Sequence, residues 1–446
     1  MGSQKKDGFS LIKINIGLGF ISKFGSFLLS YLSLPIALNY LGIGYYGVWV
    51  VIFSVVSWIY NFDVGVGLGL KNKLNKAFIA QDYDKCNELI ATSYIILTVI
   101  SVLILIVSLS FIFFIDLQSL LNVANVSENE LKYAIIVSVV LTIINFVLLL
   151  YKQLFAAINN TGFAGLTTIF YQLLVIVLLL FAKYYLEPSL LTVSVIYGAS
   201  NILVGFVFSV VFFKKNNVFK FQISNFRRKY ISVITGIGLK FFIIQICMVI
   251  IFTSDNIIIS NLLGPDYVTG YSLILKTYQA FIMISYIVLT PYWTLFAEAY
   301  QNNNIVWIVK TYKRLFMLFS VMLILLIIYS LFIDVFLKIW LGTNISYTNV
   351  MIIGFCFFVA VRTFIDICAV FLNGIGYINY QLYSYIFAAI VNIPLSIILI
   401  KYYNFKSEAV IISTTISILP MAIILPVQTF YLLRKINGNY NRNRSL

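Results

Sequence analysis

Apolar stretches long enough to cross a bilayer recur twelve times along this chain of 446 residues. A spanning helix needs about 20 predominantly apolar residues. The first six stretches are Leu11–Asn39, Gly44–Phe62, Leu89–Ile115, Tyr133–Tyr151, Phe163–Ala182 and Leu191–Phe213. The second six are Ile231–Ser254, Gly270–Leu295, Leu315–Phe332, Val350–Leu372, Tyr377–Ile400 and Ala409–Leu433. Backbone in hydrocarbon must satisfy its own hydrogen bonds, which leaves helices or closed barrels. The stretches lack the alternation of a barrel strand, so the expectation is an all-α polytopic membrane protein with twelve transmembrane helices. Charged residues make up 10% of the chain and mean hydropathy is +0.99, which excludes a soluble domain. The first stretch has no small-residue cleavage site after it and reads as a retained helix. Pro35, Pro291, Pro394, Pro420 and Pro426 fall in or at the ends of stretches, where kinks are expected.

The net charge of +15 sits at the ends of the stretches, which argues against nucleic acid as a partner. With the N-terminus in the cytoplasm, inside segments carry 21 lysines and arginines and outside segments carry five. The positive-inside rule then puts both termini in the cytoplasm. Cys86, Cys247, Cys356 and Cys368 show no paired spacing and read as small buried hydrophobes. The chain has no histidine, so imidazole relays and His-ligated metal are excluded, and no metal site is expected.

The halves repeat. Asn39-Tyr40-Leu41-Gly42-Ile43-Gly44-Tyr45 matches Asn261-Leu262-Leu263-Gly264-Pro265-Asp266-Tyr267, and Lys76-Ala77-Phe78 matches Glu298-Ala299-Tyr300. Phe114-Ile115-Asp116 meets Phe332-Ile333-Asp334, and Asn160-Thr161-Gly162-Phe163 meets Gly374-Ile375-Gly376-Tyr377. Six spans per half give both halves the same orientation, a parallel repeat of the kind found in transporters. The expected division is a lobe at 1–213, a basic cytoplasmic linker at 214–230 and a lobe at 231–446. The linker, with Val218, Phe219, Phe221, Ile223 and Phe226 among basic residues, reads as an interfacial helix or a solvated basic loop.

Four cations lie inside spans: Lys23, Lys240, Lys276 and Arg362. A charge at the centre of a membrane helix costs about 2.5–3.5 kcal/mol on insertion scales and usually marks a pathway. Lys23 and Lys240 each lie about 15 Å beyond the basic residue that opens their span. They line a cavity or snorkel to the interface. Asp255 and Lys276, near the outer ends of spans seven and eight, are placed to pair. Arg362 and Asp366 share one helical face. Either pair is structural or acts in gating or substrate contact. Asp63 ends span two and reads as interfacial or functional. Gly65, Gly67 and Gly69 form no phosphate loop or dinucleotide fingerprint and read as close packing or a flexible exit from the span. Tyr45, Tyr46, Tyr60, Tyr267, Tyr271 and Tyr278 read as cavity lining or as interfacial anchors. No nucleophile–base constellation points to an enzyme.

Four stretches carry a resemblance. They are Pro35-Ile36-Ala37-Leu38-Asn39-Tyr40-Leu41-Gly42 with Tyr46-Gly47-Val48-Trp49, and Phe62-Asp63-Val64-Gly65-Val66-Gly67 through Leu70-Lys71-Asn72-Lys73-Leu74 to Asp82-Tyr83. The others are Asp255-Asn256-Ile257-Ile258-Ile259 with Leu263-Gly264 and Tyr271-Ser272, and Lys338-Ile339-Trp340-Leu341-Gly342. In these the chain resembles the polysaccharide-flippase branch (Wzx-type O-antigen and capsule exporters) of the multidrug/oligosaccharidyl-lipid/polysaccharide exporter superfamily. The resemblance implies two six-helix lobes around a central cationic cavity in the bacterial inner membrane. It implies alternating-access transfer of an undecaprenyl-pyrophosphate-linked glycan to the outer leaflet, with Lys23, Lys240, Lys276 and Arg362 as candidates to hold the pyrophosphate. Asp63, Asp255 and Asp366 are the intramembrane carboxylates available for proton or sodium coupling or for gating; no cofactor is expected. Partners beyond the bilayer and the glycan would be a polysaccharide polymerase and chain-length machinery. The alternative is a cation-coupled multidrug exporter of the same superfamily, whose pocket should favour acidic residues.

Overall fold

The computed structural model describes residues 2–444 except 64, 124–125, 236–238 and 343–344, with side chains described for 17–434 except 20 and 239–241. Among the described residues the chain is helical throughout, with no strand. Eleven helices there are long and apolar enough to cross a membrane. The first, Gly17–Asn61, holds two spans, because Gly42 (φ 74°, ψ 169°) breaks the helix. The count of twelve therefore stands. Pro35, Pro394, Pro420 and Pro426 lie inside continuous helices, whereas Pro291 separates the Pro265–Leu289 helix from Tyr292–Gln301.

The duplication is visible in the backbone. Gly264 (φ 100°, ψ 164°) breaks the chain as Gly42 does, 222 residues later. Gln81 and Asn303 share a positive φ at the same spacing, and Asn122 pairs with Gly342 and Asn159 with Gly376. Left-handed residues terminate helices by letting the chain turn away while the last carbonyls find donors. Both halves thus run through the same order: a span broken at glycine, a second span, a short helix (Val66–Ile79 or Tyr292–Gln301), a long span, a second short helix (Leu117–Leu121 or Ile333–Leu341), then three spans.

Contacts divide the chain into Met1–Gln245 and Ile246–Leu446. In the first unit the Gly2–Ser57 helix packs along Thr161–Tyr185. Gly165 permits the close approach: a Cβ there would lie 2.9 Å from the Ser22 side chain. Glu130 ties helix ends together by accepting from the Tyr45 hydroxyl (3.3 Å), the Ser189 hydroxyl (3.3 Å) and the Leu190 N–H (3.1 Å). Deeper, Asn145 donates to the Tyr60 hydroxyl at 2.9 Å.

The linker is not an interfacial helix; it is the exposed basic loop of the second expectation, pinned at a few points. The Leu190–Lys215 helix ends, and the chain continues as an extended strap with one 3-10 turn at Ile223–Asn225. Phe219, 2% exposed, is drawn inward by ring contacts to Phe212 and Phe78. The Lys220 N–H donates to Asn87 Oδ1 (2.7 Å), and Arg227 Nε pairs with Glu88 (2.8 Å). Beyond the strap, the Ile234 carbonyl would lie 2.0 Å from a Cβ on Gly69, and Gln245 Nε2 donates to Asn61 Oδ1 at 3.0 Å. These contacts join the chain up to Gln245 to the first unit.

In the second unit, Tyr278 stacks on Phe355 (centroids 5.5 Å, 18°) and shares a 2.7 Å hydrogen bond with Ser330. Asn392 donates to Thr414 at 2.9 Å. The Ile333–Leu341 helix is held by the Tyr347 hydroxyl, which donates to Asp334; burial and that carboxylate push the phenol up to about 12. The tyrosines weighed as interfacial anchors divide: Tyr46, Tyr271 and Tyr278 are core residues.

Gly42 and Gly264 occupy a backbone region that only glycine adopts without strain, which costs other residues about 1–3 kcal/mol. Gly42→Ala and Gly264→Ala should each lower the unfolding midpoint in detergent. Gly19→Ala, in open space within a helix, should leave it unchanged or raise it slightly.

Candidate functional site

Arg362 stands halfway along the Asn349–Gly374 helix, about 20 Å from its start. That depth is the bilayer centre for a helix of this length. Its Nε donates to Asp366 Oδ2, one turn on, at 3.1 Å. The Phe252 ring lies 4.7 Å from the guanidinium carbon, and the Tyr385 hydroxyl hydrogen-bonds to the same group. The Arg362 and Asp366 side chains are 14% and 27% exposed, so this charge is neutralised and shielded inside its own unit. The expected i,i+4 pair is present. Phe252 and Tyr385 complete it, although neither carries a sequence signal that separates it from the other 68 phenylalanines and tyrosines.

Asp255 behaves differently from expectation. Its carboxylate, 3% exposed, accepts a 2.5 Å hydrogen bond from the Tyr271 hydroxyl, and the ion pairs among the described residues do not include it. The helix break at Gly264 explains this. It folds Pro265–Leu289 back so that position 271 comes opposite position 255. Lys276 lies about 7.5 Å further along the helix, near its midpoint rather than its outer end. It is half-buried. Tyr271 was legible as a candidate polar residue; its pairing with Asp255 needed the turn geometry.

In the first unit, Lys23 lies on the exposed side of its helix, next to Ser22, which faces Gly165. Lys240 belongs to the Leu239–Thr253 helix, and its side chain lies outside the described residues. Asp63 caps a helix: its carboxylate accepts from the Gly65 N–H (3.0 Å) and the Gly67 N–H (3.3 Å) at the start of Val66–Ile79. Gly65 supplies the left-handed turn there, and Gly67 and Gly69 admit close neighbours, so the glycine run serves packing. Of the seven candidate residues, the structure joins Arg362 to Asp366 directly. Among the described residues there is no cluster of three metal-ligating side chains.

An all-helical chain of twelve spans in duplicated halves, with cations at mid-depth, defines a transporter of the multidrug/oligosaccharidyl-lipid/polysaccharide exporter superfamily. The family described as polysaccharide biosynthesis protein matches residues 12–296, and the chain belongs to it. The family described as MatE matches residues 241–398. Among solved structures, an inward-facing multidrug resistance MATE family transporter is 16% identical with a TM-score of 0.77, over 95% of this chain and 98% of its own. A transporter of the same superfamily from Pyrococcus furiosus, reported with reversed polarity of its binding pocket, is 17% identical with a TM-score of 0.68, over 95% and 96%. A MATE protein in complex with MaL6 is 17% identical with a TM-score of 0.68, over 96% and 97%. These likenesses establish the fold. No curated protein matches the sequence.

Removing one member of a buried ion pair costs about 3–5 kcal/mol, whereas replacing both with apolar residues is often neutral. Asp366→Ala should therefore lower thermal stability sharply, and the Arg362→Met/Asp366→Leu double variant should recover it. Transport by the recovered protein then separates the roles: retained transport assigns the pair to structure, lost transport to substrate handling.

Proposed function

We propose that this transporter moves an undecaprenyl-pyrophosphate-linked oligosaccharide, an O-antigen or capsule repeat unit, from the cytoplasmic to the outer leaflet by alternating access. The observation that carries the reading is the membership in the polysaccharide biosynthesis family over residues 12–296. The intramembrane cations support it. Lys23, Lys240 and Lys276 suit an anionic headgroup, since lysines act on phosphate as compact point charges, and Arg362 becomes available to it when its pair with Asp366 opens. Asp255 and Asp366 are the carboxylates we assign to coupling or gating. The helix-capping bonds of Asp63 favour a structural part for it. Both termini and the basic segments face the cytoplasm in this proposal, as the distribution of lysine and arginine requires.

A second reading, export of cationic drugs, draws support from the MatE match over 241–398. Intramembrane cations oppose it, since like charges in low dielectric repel.

The test is transport of fluorescent lipid-linked oligosaccharide in proteoliposomes. Loss of one charge-assisted phosphate contact is worth about 1.5–3 kcal/mol, or roughly tenfold or more in rate. Lys23→Gln and Lys276→Gln should each slow transport by about that factor with membrane insertion unchanged. Wild-type rates in both variants would remove these lysines from the proposal, and ethidium efflux by the wild type without glycan transport would favour the second reading.

A further inference from the structure

The Val66–Ile79 helix carries three lysines that the intramembrane site does not use. Lys71, Lys73 and Lys76 line an open cleft with Asn72, Asn75 and Asn159, and Ala156 is the one apolar lining residue. The cleft has a volume of about 340 Å³, within the range of ligand pockets. No carboxylate lines it. Four cations elsewhere in the described residues form ion pairs: Glu88 takes Arg227 and Lys229, Glu128 takes Lys132, and Asp366 takes Arg362. None of those ion pairs includes Lys71, Lys73 or Lys76. The platform is fixed, because Leu70, Leu74 and Ala77 are buried beneath it and Asn75 Nδ2 donates to the Ala157 carbonyl at 2.7 Å.

The duplication supplies a comparison within the chain. The counterpart helix, Tyr292–Gln301, keeps two of the three buried positions: Phe296 stands for Leu74 and Ala299 for Ala77, while the half-buried Tyr292 stands for Leu70. It keeps none of the charge. At the same spacing of 222 residues, Lys71, Lys73 and Lys76 become Trp293, Leu295 and Glu298. Its neighbour packs closely, since a Cβ on Gly374 would lie 2.6 Å from the Trp293 carbonyl. The fold element therefore forms without cations. The three lysines are an addition of the first unit alone.

We propose that this cleft is a diphosphate-binding site on the cytoplasmic face, where the headgroup of the lipid-linked glycan docks before it is carried across. The inference rests on the function proposed above. Three flexible ammonium groups capture a multiply charged anion in many orientations, which suits a first encounter better than a rigid bidentate fork. Two sources share this chemistry: the diphosphate of the carrier lipid and the phosphate of an anionic phospholipid.

Native mass spectrometry of the full-length protein in phosphatidylcholine nanodiscs tests it, with undecaprenyl diphosphate or phosphatidylglycerol as the probe. The Lys71→Gln/Lys73→Gln/Lys76→Gln variant should bind undecaprenyl diphosphate at least about tenfold more weakly than wild type, as expected for the loss of one or more charge-assisted contacts. Lys76→Glu alone, which installs the charge of the second unit, should weaken it as well. The control Lys214→Gln/Lys215→Gln/Lys220→Gln, exposed on the same unit but outside the cleft, should match wild type. Equal binding by the cleft variant and wild type overturns the proposal, as does equal weakening by the control, which would signify bulk charge. Phosphatidylglycerol bound as tightly as undecaprenyl diphosphate, and lost in the cleft variant, overturns it in favour of membrane anchoring. Glycan transport by the wild type with unchanged diphosphate binding in the cleft variant defeats this site alone, whereas absence of glycan transport by the wild type defeats the proposed function.

Discussion

Hydrocarbon offers no hydrogen bonds to a polypeptide, and every other feature of this fold answers to that constraint. The chain stays helical through each span and breaks only where a special residue repairs the backbone. Gly42 and Gly264 break the first span of each unit from the second with the same extended, positive-φ geometry. Asp63 supplies side-chain acceptors for the N–H groups that the turn at Gly65 leaves open. Helix termini without such partners are costly in any protein and more so near a membrane.

The same constraint sorts the charges. An ion in low dielectric needs a partner or a wet surface. Arg362 has Asp366, Tyr385 and the Phe252 face. Asp255 has the Tyr271 hydroxyl. Lys23 lies on the exposed side of its helix, and the lysines of the Val66–Ile79 helix lie outside the spans altogether. The charges thus range from the Arg362–Asp366 ion pair inside the second unit to the open lysine cleft on the first.

Much of this was legible in the sequence, for physical reasons. Length and hydropathy fix membrane helices strongly, so the twelve spans were readable, including the break at Gly42. The repeat was readable through glycine and asparagine, since left-handed turns restrict residue choice; the backbone adds the Gln81–Asn303 pair, which residue identity alone hides. Arg362 and Asp366 were readable because i,i+4 neighbours on a helix meet whatever the tertiary structure. Pairing across helices was not. Asp255 meets Tyr271 rather than Lys276 because the turn at Gly264 sets the register, and a shift of five residues rotates a side chain to another face and another depth. The strap after Lys215 was open between helix and loop because its alternating aromatic and basic residues suit an interfacial helix as well as an extended chain, and Phe219 finding Phe212 and Phe78 fixes the loop's course.

The central claim is that the protein itself carries a diphosphate-linked glycolipid between leaflets. The most direct measurement is the time course of leaflet exchange of a fluorescent undecaprenyl-diphosphate oligosaccharide in liposomes containing this purified protein as their sole protein. The account predicts exchange well above protein-free liposomes and competition by unlabelled undecaprenyl-diphosphate oligosaccharide but not by ethidium. Exchange no faster than in protein-free liposomes, or competition by ethidium alone, would contradict it.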